Sequence, residues 1–252
     1  ANVAAVARVA RFAVSGRRKT VVLASSLAPF VCAEPRPAVV SEDDRSPTGY
    51  LAGAYAASKL AGEHALRASG ADARIVRLGL LAGATTDGRS HERCQLGLFL
   101  RGLALLGVAP EMAERLAVDV TPIDHAARAL VTLALAPGTG TYHVAAREPA
   151  TLEDLVRALE DAGRPLLRVP AGELFERVAR AAATRGRVGT AALGLLRHLR
   201  PSASHALETD LFLMTGTRID ASRAESLVGP APAPDRAYLA RLARAALAED
   251  AP

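Results

Sequence analysis

Residues 51–83, LAGAYAASKLAGEHALRASGADARIVRLGLLAG, decide how this chain folds. From about Leu51 to Ala68 good helix formers run on without a proline, and Gly70 supplies a stop, so this half is expected to be a helix. The run from Ala73 to Leu81 (ARIVRLGLL) reads as a strand buried on both faces, as strands of parallel sheets are. The same alternation repeats toward the N-terminus. Thr20 to Ala24 (TVVLA) is a short continuous apolar run and predicts another buried strand. Ahead of it Val3, Val6, Val9 and Phe12 recur at helical spacing until Gly16. The α-β-α-β order implies an α/β fold with a doubly wound parallel sheet.

Beyond residue 83 the rhythm changes. Gly83, Asp87 and Gly88 mark a loop, and Gln95–Leu106 predicts a helix. Thr121 is expected to cap the next helix, with Pro122 in its first turn and Asp124 completing a capping box. The pattern recurs at Thr151 with Asp154. Residues 140–145 (GTYHVA) and 165–169 read as strands, and 171–252 as mostly helical. The expected organisation is therefore a sheet domain over residues 1–83 and a smaller, mostly helical C-terminal lobe over 84–252. Residues 117–146 of that lobe return to the core sheet.

Half of the 252 residues are hydrophobic, enough for a large core, yet no apolar run reaches membrane-spanning length. The opening residues carry no signal-peptide pattern. Cys32 and Cys94 stand alone, which points to a reducing cytoplasm and to neither a disulfide framework nor a metal site. His91, His143, His198 and His205 have no metal-ligand spacing either. The net charge of +5 comes from scattered arginines without interleaved aromatics, so neither nucleic acid nor a membrane is expected as a partner. Oligomeric state is not legible. The acidic run Glu42, Asp43, Asp44 is expected to be a solvated loop. Only two of the 31 cationic residues are lysines, Lys19 and Lys59. Where arginine serves almost everywhere, a lysine hints at a place where a guanidinium will not do.

Tyr55-Ala56-Ala57-Ser58-Lys59 places a phenol and an ammonium one helical turn apart on one face. A nearby ammonium favours phenolate and makes the phenol usable as an acid or base. By itself Y-x-x-x-K recurs by chance as a surface pair. Here it opens the helix that follows a buried strand, and that strand ends in Ser25-Ser26. The hydroxyls thus fall at the carboxyl edge of the sheet, where open α/β folds bind ligands. Ser26, Tyr55 and Lys59 are the candidate catalytic residues, and Ser25 is expected to pack.

Ser26, Tyr55 and Lys59 resemble the Ser/Thr-Tyr-Lys set of extended short-chain dehydrogenases/reductases. ANVAAVARVA resembles that family's N-V-x-G-T helix, RLGLLAG the strand after the lysine helix, and VDVTPIDHAARALVTLA the segment returning to the sheet. Within the family the chain resembles the thioester reductase domains of nonribosomal peptide and polyketide synthases and of carboxylic acid reductases. YAASKLAGEHAL matches their Y-x-x-S-K-x-x-x-E pattern. Ser26 stands where those domains have threonine.

The resemblance implies a Rossmann-type cofactor domain and a substrate lobe. It also implies a nicotinamide cofactor, NADPH in preference with NADH left open. Asn2, Tyr55, Lys59, Gly79, Leu80 and Leu81 would contact that cofactor. The implied reaction reduces a thioester on an acyl or peptidyl carrier protein to an aldehyde or alcohol. Tyr55 is the acid, Lys59 tunes it, and Ser26 holds the carbonyl oxygen. Two alternatives stand beside it: a nucleotide-sugar epimerase or dehydratase of the same superfamily, and a non-catalytic reductase-like scaffold. The Gly-rich phosphate-binding fingerprint is absent; Gly186-Arg187-Val188-Gly189 imitates it only in a helical region. The resemblance therefore implies that the cofactor domain is N-terminally incomplete here, and that this stretch alone binds the cofactor weakly.

Overall fold

A computed structural model describes residues 2–51, 53–111, 113–196 and 216–248. His198 and His205 lie outside these residues. The chain divides into two compact units. The first comprises residues 1–79, 125–147 and 216–232, and the second residues 80–124, 148–215 and 233–252. Against the expected division at residue 83, the chain thus leaves the first unit at Gly79. It returns at 125 where 117 was expected, and again at 216, a return that sequence reading did not anticipate.

The first unit is built on three parallel strands in the order Val21–Ser26, Ala73–Leu78, Gly140–Val144. The middle strand is covered on both faces, which is why Arg74, Ile75, Val76 and Arg77 are all buried. Two helices, Asn2–Val14 and Ala54–Ala68, pack against the sheet. Ala10, Ala13, Val21, Leu66 and Ile75 form the core between them. Alternation sets which groups face where. Val21 N–H donates to Asp72 and Leu27 N–H to Leu78, so odd-numbered residues of the first strand bond to the middle strand. The peptide groups of Val22, Ala24 and Ser26 point to the opposite edge.

Lys19 closes the first helix. Its ammonium donates to the carbonyls of Phe12, Ser15 and Arg17 at 3.3, 3.0 and 2.8 Å. A compact charge with three rotatable donors can gather three carbonyls at the negative end of a helix.

The acidic run departs from expectation. Asp43 is exposed, but Glu42 is only 3 % exposed. Its Oε1 accepts from the N–H of His143 (2.8 Å) and Ala224 (3.1 Å), and its Oε2 from that of Arg223 (2.7 Å). One carboxylate thereby ties the third strand to the helix Ser222–Val228. Arg218–Ile219 adds a short strand beside Val39–Val40.

The second unit has its own core. Leu96, Phe99, Leu100 and Leu103 of the Gln95–Leu106 helix meet Leu152, Leu155 and Leu159, together with Tyr238, Leu239 and Leu242. Thr151 and Asp154 form the expected capping box. Thr121 does otherwise: it lies in a strand beside Leu81, its hydroxyl donates to Asp119, and the helix begins at Ile123. The Asp124 carboxylate takes the backbone N–H and hydroxyl of Thr85.

Candidate active site

The first strand ends in two serines that alternate to opposite faces. Ser25 is buried and donates to Glu63 Oε1 at 2.6 Å. The Ser26 hydroxyl, at the strand's last residue, accepts the Ala28 N–H at 3.1 Å. Tyr55 lies in the first turn of the Ala54–Ala68 helix and is 58 % exposed. One turn on, the Lys59 ammonium sits 5.8 Å from the Tyr55 ring centre. It donates to the Ala24 carbonyl at 3.3 Å, on the edge of the strand that faces away from the sheet. The lysine thus reaches the carboxyl end of the first strand.

Asn2 comes to the same place from the other helix. Its amide donates to Ser58 Oγ at 3.3 Å, and that hydroxyl donates to the Tyr55 carbonyl at 2.8 Å. Asn2, Leu23, Ser25, Ser58 and Lys59 line a cavity of about 160 Å³. Gly79 ends the middle strand, donating its N–H to Val144. Leu80 and Leu81 belong to the second unit. Leu80 N–H donates to Asp119 at 2.7 Å, and Leu81 pairs with Thr121.

A family model described as "Male sterility protein" (NAD_binding_4) matches residues 1–130. The chain belongs to this family. It is 36 % identical over 124 residues to the isonitrile lipopeptide synthase of Streptomyces coeruleorubidus, covering 48 % of this chain and 8 % of that one. It is 27 % identical over 193 residues to a linear gramicidin synthase of Brevibacillus parabrevis, covering 74 % and 4 %. The chain therefore spans less than a tenth of these relatives. The terminal R domain of the myxalamid PKS-NRPS biosynthetic pathway shares its fold, with a TM-score of 0.81 at 21 % identity over 99 % of this chain and 63 % of that one. The doubly wound parallel architecture read from the sequence is that of these neighbours.

Membership in an NAD-binding family means a nicotinamide cofactor. The residues present fit one end of it. Asn2, Ser58 and Lys59, which carry an amide, a hydroxyl and an ammonium, are among the residues lining the cavity, and such groups complement ribose hydroxyls. Among the described residues, no pyrophosphate cradle accompanies them. Gly186–Gly189 lies where one helix gives way to another, and Gly189 is buried within the second.

Sequence reading passed over the residues that fix this site. The register sets Ser25, Arg77 and His143 abreast on one face. Glu63 reaches that row from the Tyr55 helix, and neither Glu63 nor Arg77 has any exposed side chain. Arg77 Nη2 donates to Glu63 Oε2 at 2.8 Å, and Arg67 Nη1 donates to the same oxygen at 3.1 Å. Burial pushes the Glu63 carboxyl up, but Arg77, Ser25 and Arg67 together hold it below its ordinary value. Burial and the Arg77 charge press His143 down to about 4. The glutamate of Y-x-x-S-K-x-x-x-E was the available signal, and its partner Arg77 had none.

Proposed function

We propose that this chain forms the catalytic part of an NADPH-dependent reductase acting on an acyl or peptidyl thioester carried by a carrier protein, giving an aldehyde or alcohol. The first unit belongs to the cofactor domain, and the second is the substrate lobe. One observation carries the reading: the Lys59 ammonium, one turn from Tyr55, reaches the carboxyl end of the parallel strand that finishes at Ser26. The thioester is drawn from the nature of the relatives, which are peptide synthases and an aminoadipate reductase. NADPH in place of NADH rests on the resemblance alone.

Asn2, Ser58 and Lys59 would hold the ribose, with Gly79 beside the nicotinamide. When bound, that group supplies hydride to the thioester carbonyl. Charge then develops on the carbonyl oxygen. The Ser26 hydroxyl donates a hydrogen bond to it, and the Tyr55 phenol gives it a proton. Lys59 stabilises the phenolate left behind. The hemithioacetal collapses to thiol and aldehyde.

The test is turnover of the whole protein that carries this stretch, with an acyl-pantetheine thioester, comparing NADPH with NADH. Tyr55→Phe is expected to lower turnover by at least roughly 100-fold. Near-normal turnover in that variant removes Tyr55 from its role, and turnover of a nucleotide sugar in place of the thioester overturns the substrate assignment.

A further inference from the structure

We infer that Glu63 is a positioning residue, fixing the helix that carries Tyr55 and Lys59 against the strand that ends in Ser26. The inference rests on the reading of Tyr55 and Lys59 as the reacting pair. Glu63 follows Lys59 by one helical turn and Tyr55 by two, so the three share a side of one rigid element. On the sheet it meets Ser25, which lies between Ala24, whose carbonyl takes the Lys59 ammonium, and Ser26. The anchor on the helix is one turn from Lys59 and two from Tyr55, and the anchor on the strand is one residue from Ser26.

The geometry is over-determined. Glu63 Oε1 accepts from Ser25 Oγ at 2.6 Å and Arg77 Nε at 3.1 Å. Oε2 accepts from Arg77 Nη2 at 2.8 Å and Arg67 Nη1 at 3.1 Å. A forked arginine contact fixes direction as well as distance. Arg77 is itself held by the Asp44 carbonyl at 2.8 Å, by His143 Nε2 at 3.2 Å, and by the Phe30 ring at 3.9 Å. Cohesion alone does not call for this arrangement, because well-packed apolar residues stabilise a core as well as a buried ion pair does. What the ions add is a single permitted register between helix and strand. A slip of about 1 Å at reacting groups costs about 100-fold in rate.

The test measures kcat and KM for the thioester, with thermal melting, in Glu63→Gln, Ser25→Ala, Ser25→Thr and Tyr55→Phe. Glu63→Gln should lower kcat per folded molecule roughly 10- to 100-fold with KM within about twofold. Ser25→Ala should lower kcat about fivefold, and Ser25→Thr, which keeps the hydroxyl, should restore it. If Glu63→Gln does not fold, the Ser25 pair decides. Unchanged kcat in the folded variants, with only melting or KM altered, overturns the inference. If Tyr55→Phe is inactive in that experiment, the catalytic reading survives it. Near-normal kcat in Tyr55→Phe overturns both.

Discussion

Replacing Arg77 by methionine removes a buried cation while keeping most of its apolar length. The thioether can still lie on Phe30, so packing loss is small. The electrostatic loss is not. Breaking a fully buried ion pair from one side costs about 3–5 kcal/mol, since the other charge stays behind. Here Glu63 keeps the Ser25 hydroxyl and Arg67, whose side chain is 18 % exposed, so the lower end applies. The expected loss is about 3 kcal/mol, or about 6–12 °C in Tm for a chain of this size.

The pH dependence sharpens the test. The folded Glu63 carboxyl titrates below its ordinary value of 4.5, so the folded state releases that proton more readily than the unfolded one. Its contribution is present above 4.5 and is lost as pH falls through the folded value. Without Arg77, burial is the largest influence left and is expected to raise the carboxyl above 4.5, so stability falls as pH rises from 4.5 through that raised value. The stability gap between the two proteins should therefore widen from acid to neutral pH. Urea unfolding followed by circular dichroism between about pH 3 and 7 reads this gap. A gap below about 1 kcal/mol at neutral pH, or one that does not vary with pH, refutes the reasoning.

Three further outcomes are expected. Glu42→Gln offers one acceptor oxygen where two now serve three N–H groups, and should cost about 1–3 kcal/mol; limited proteolysis should then cut within residues 216–232, and an unchanged pattern contradicts this. His143, lowered from 6.5 to about 4, contributes stability above pH 6.5 that is lost as pH falls through about 4. Its imidazole resonances should show a midpoint near 4 by NMR, and an ordinary midpoint near 6.5 disproves the burial argument. Gly83→Ala should lower stability by about 3 kcal/mol, because a Cβ there runs into the Gly88 backbone. Gly88 is itself left-handed and packed on Arg241, and the Tyr238 hydroxyl holds the Gly83 carbonyl at 2.6 Å. A melting temperature equal to the parent's would show that the loop yields freely.

Much of the first unit was legible because its signals are local. Helical spacing at Val3, Val6, Val9 and Phe12, the apolar run at 20–24 and the glycine stops lie within short windows. The Tyr55–Lys59 spacing was equally local, since one helical turn fixes it. Side-chain partnerships between distant residues were not legible. Glu42 looked like a solvated acid because its neighbours Asp43 and Asp44 are acids, yet its donors come from residues 143, 223 and 224. Thr121 looked like a helix cap because the local motif was complete, but strand pairing with Leu81 and the Asp119 carboxylate engaged it differently.

The sequence by itself determined the alternation of helix and strand and the one-turn spacing of phenol and ammonium, because backbone geometry imposes both over a few residues. The tertiary structure alone decided the strand order and the row of Ser25, Arg77 and His143. It also decided the closure of that row by Glu63. The reason is physical: a carboxylate's fate depends on which donors the fold carries to it, and apart from Arg67, one helical turn from Glu63, those donors lie 14 to 182 residues away along the chain.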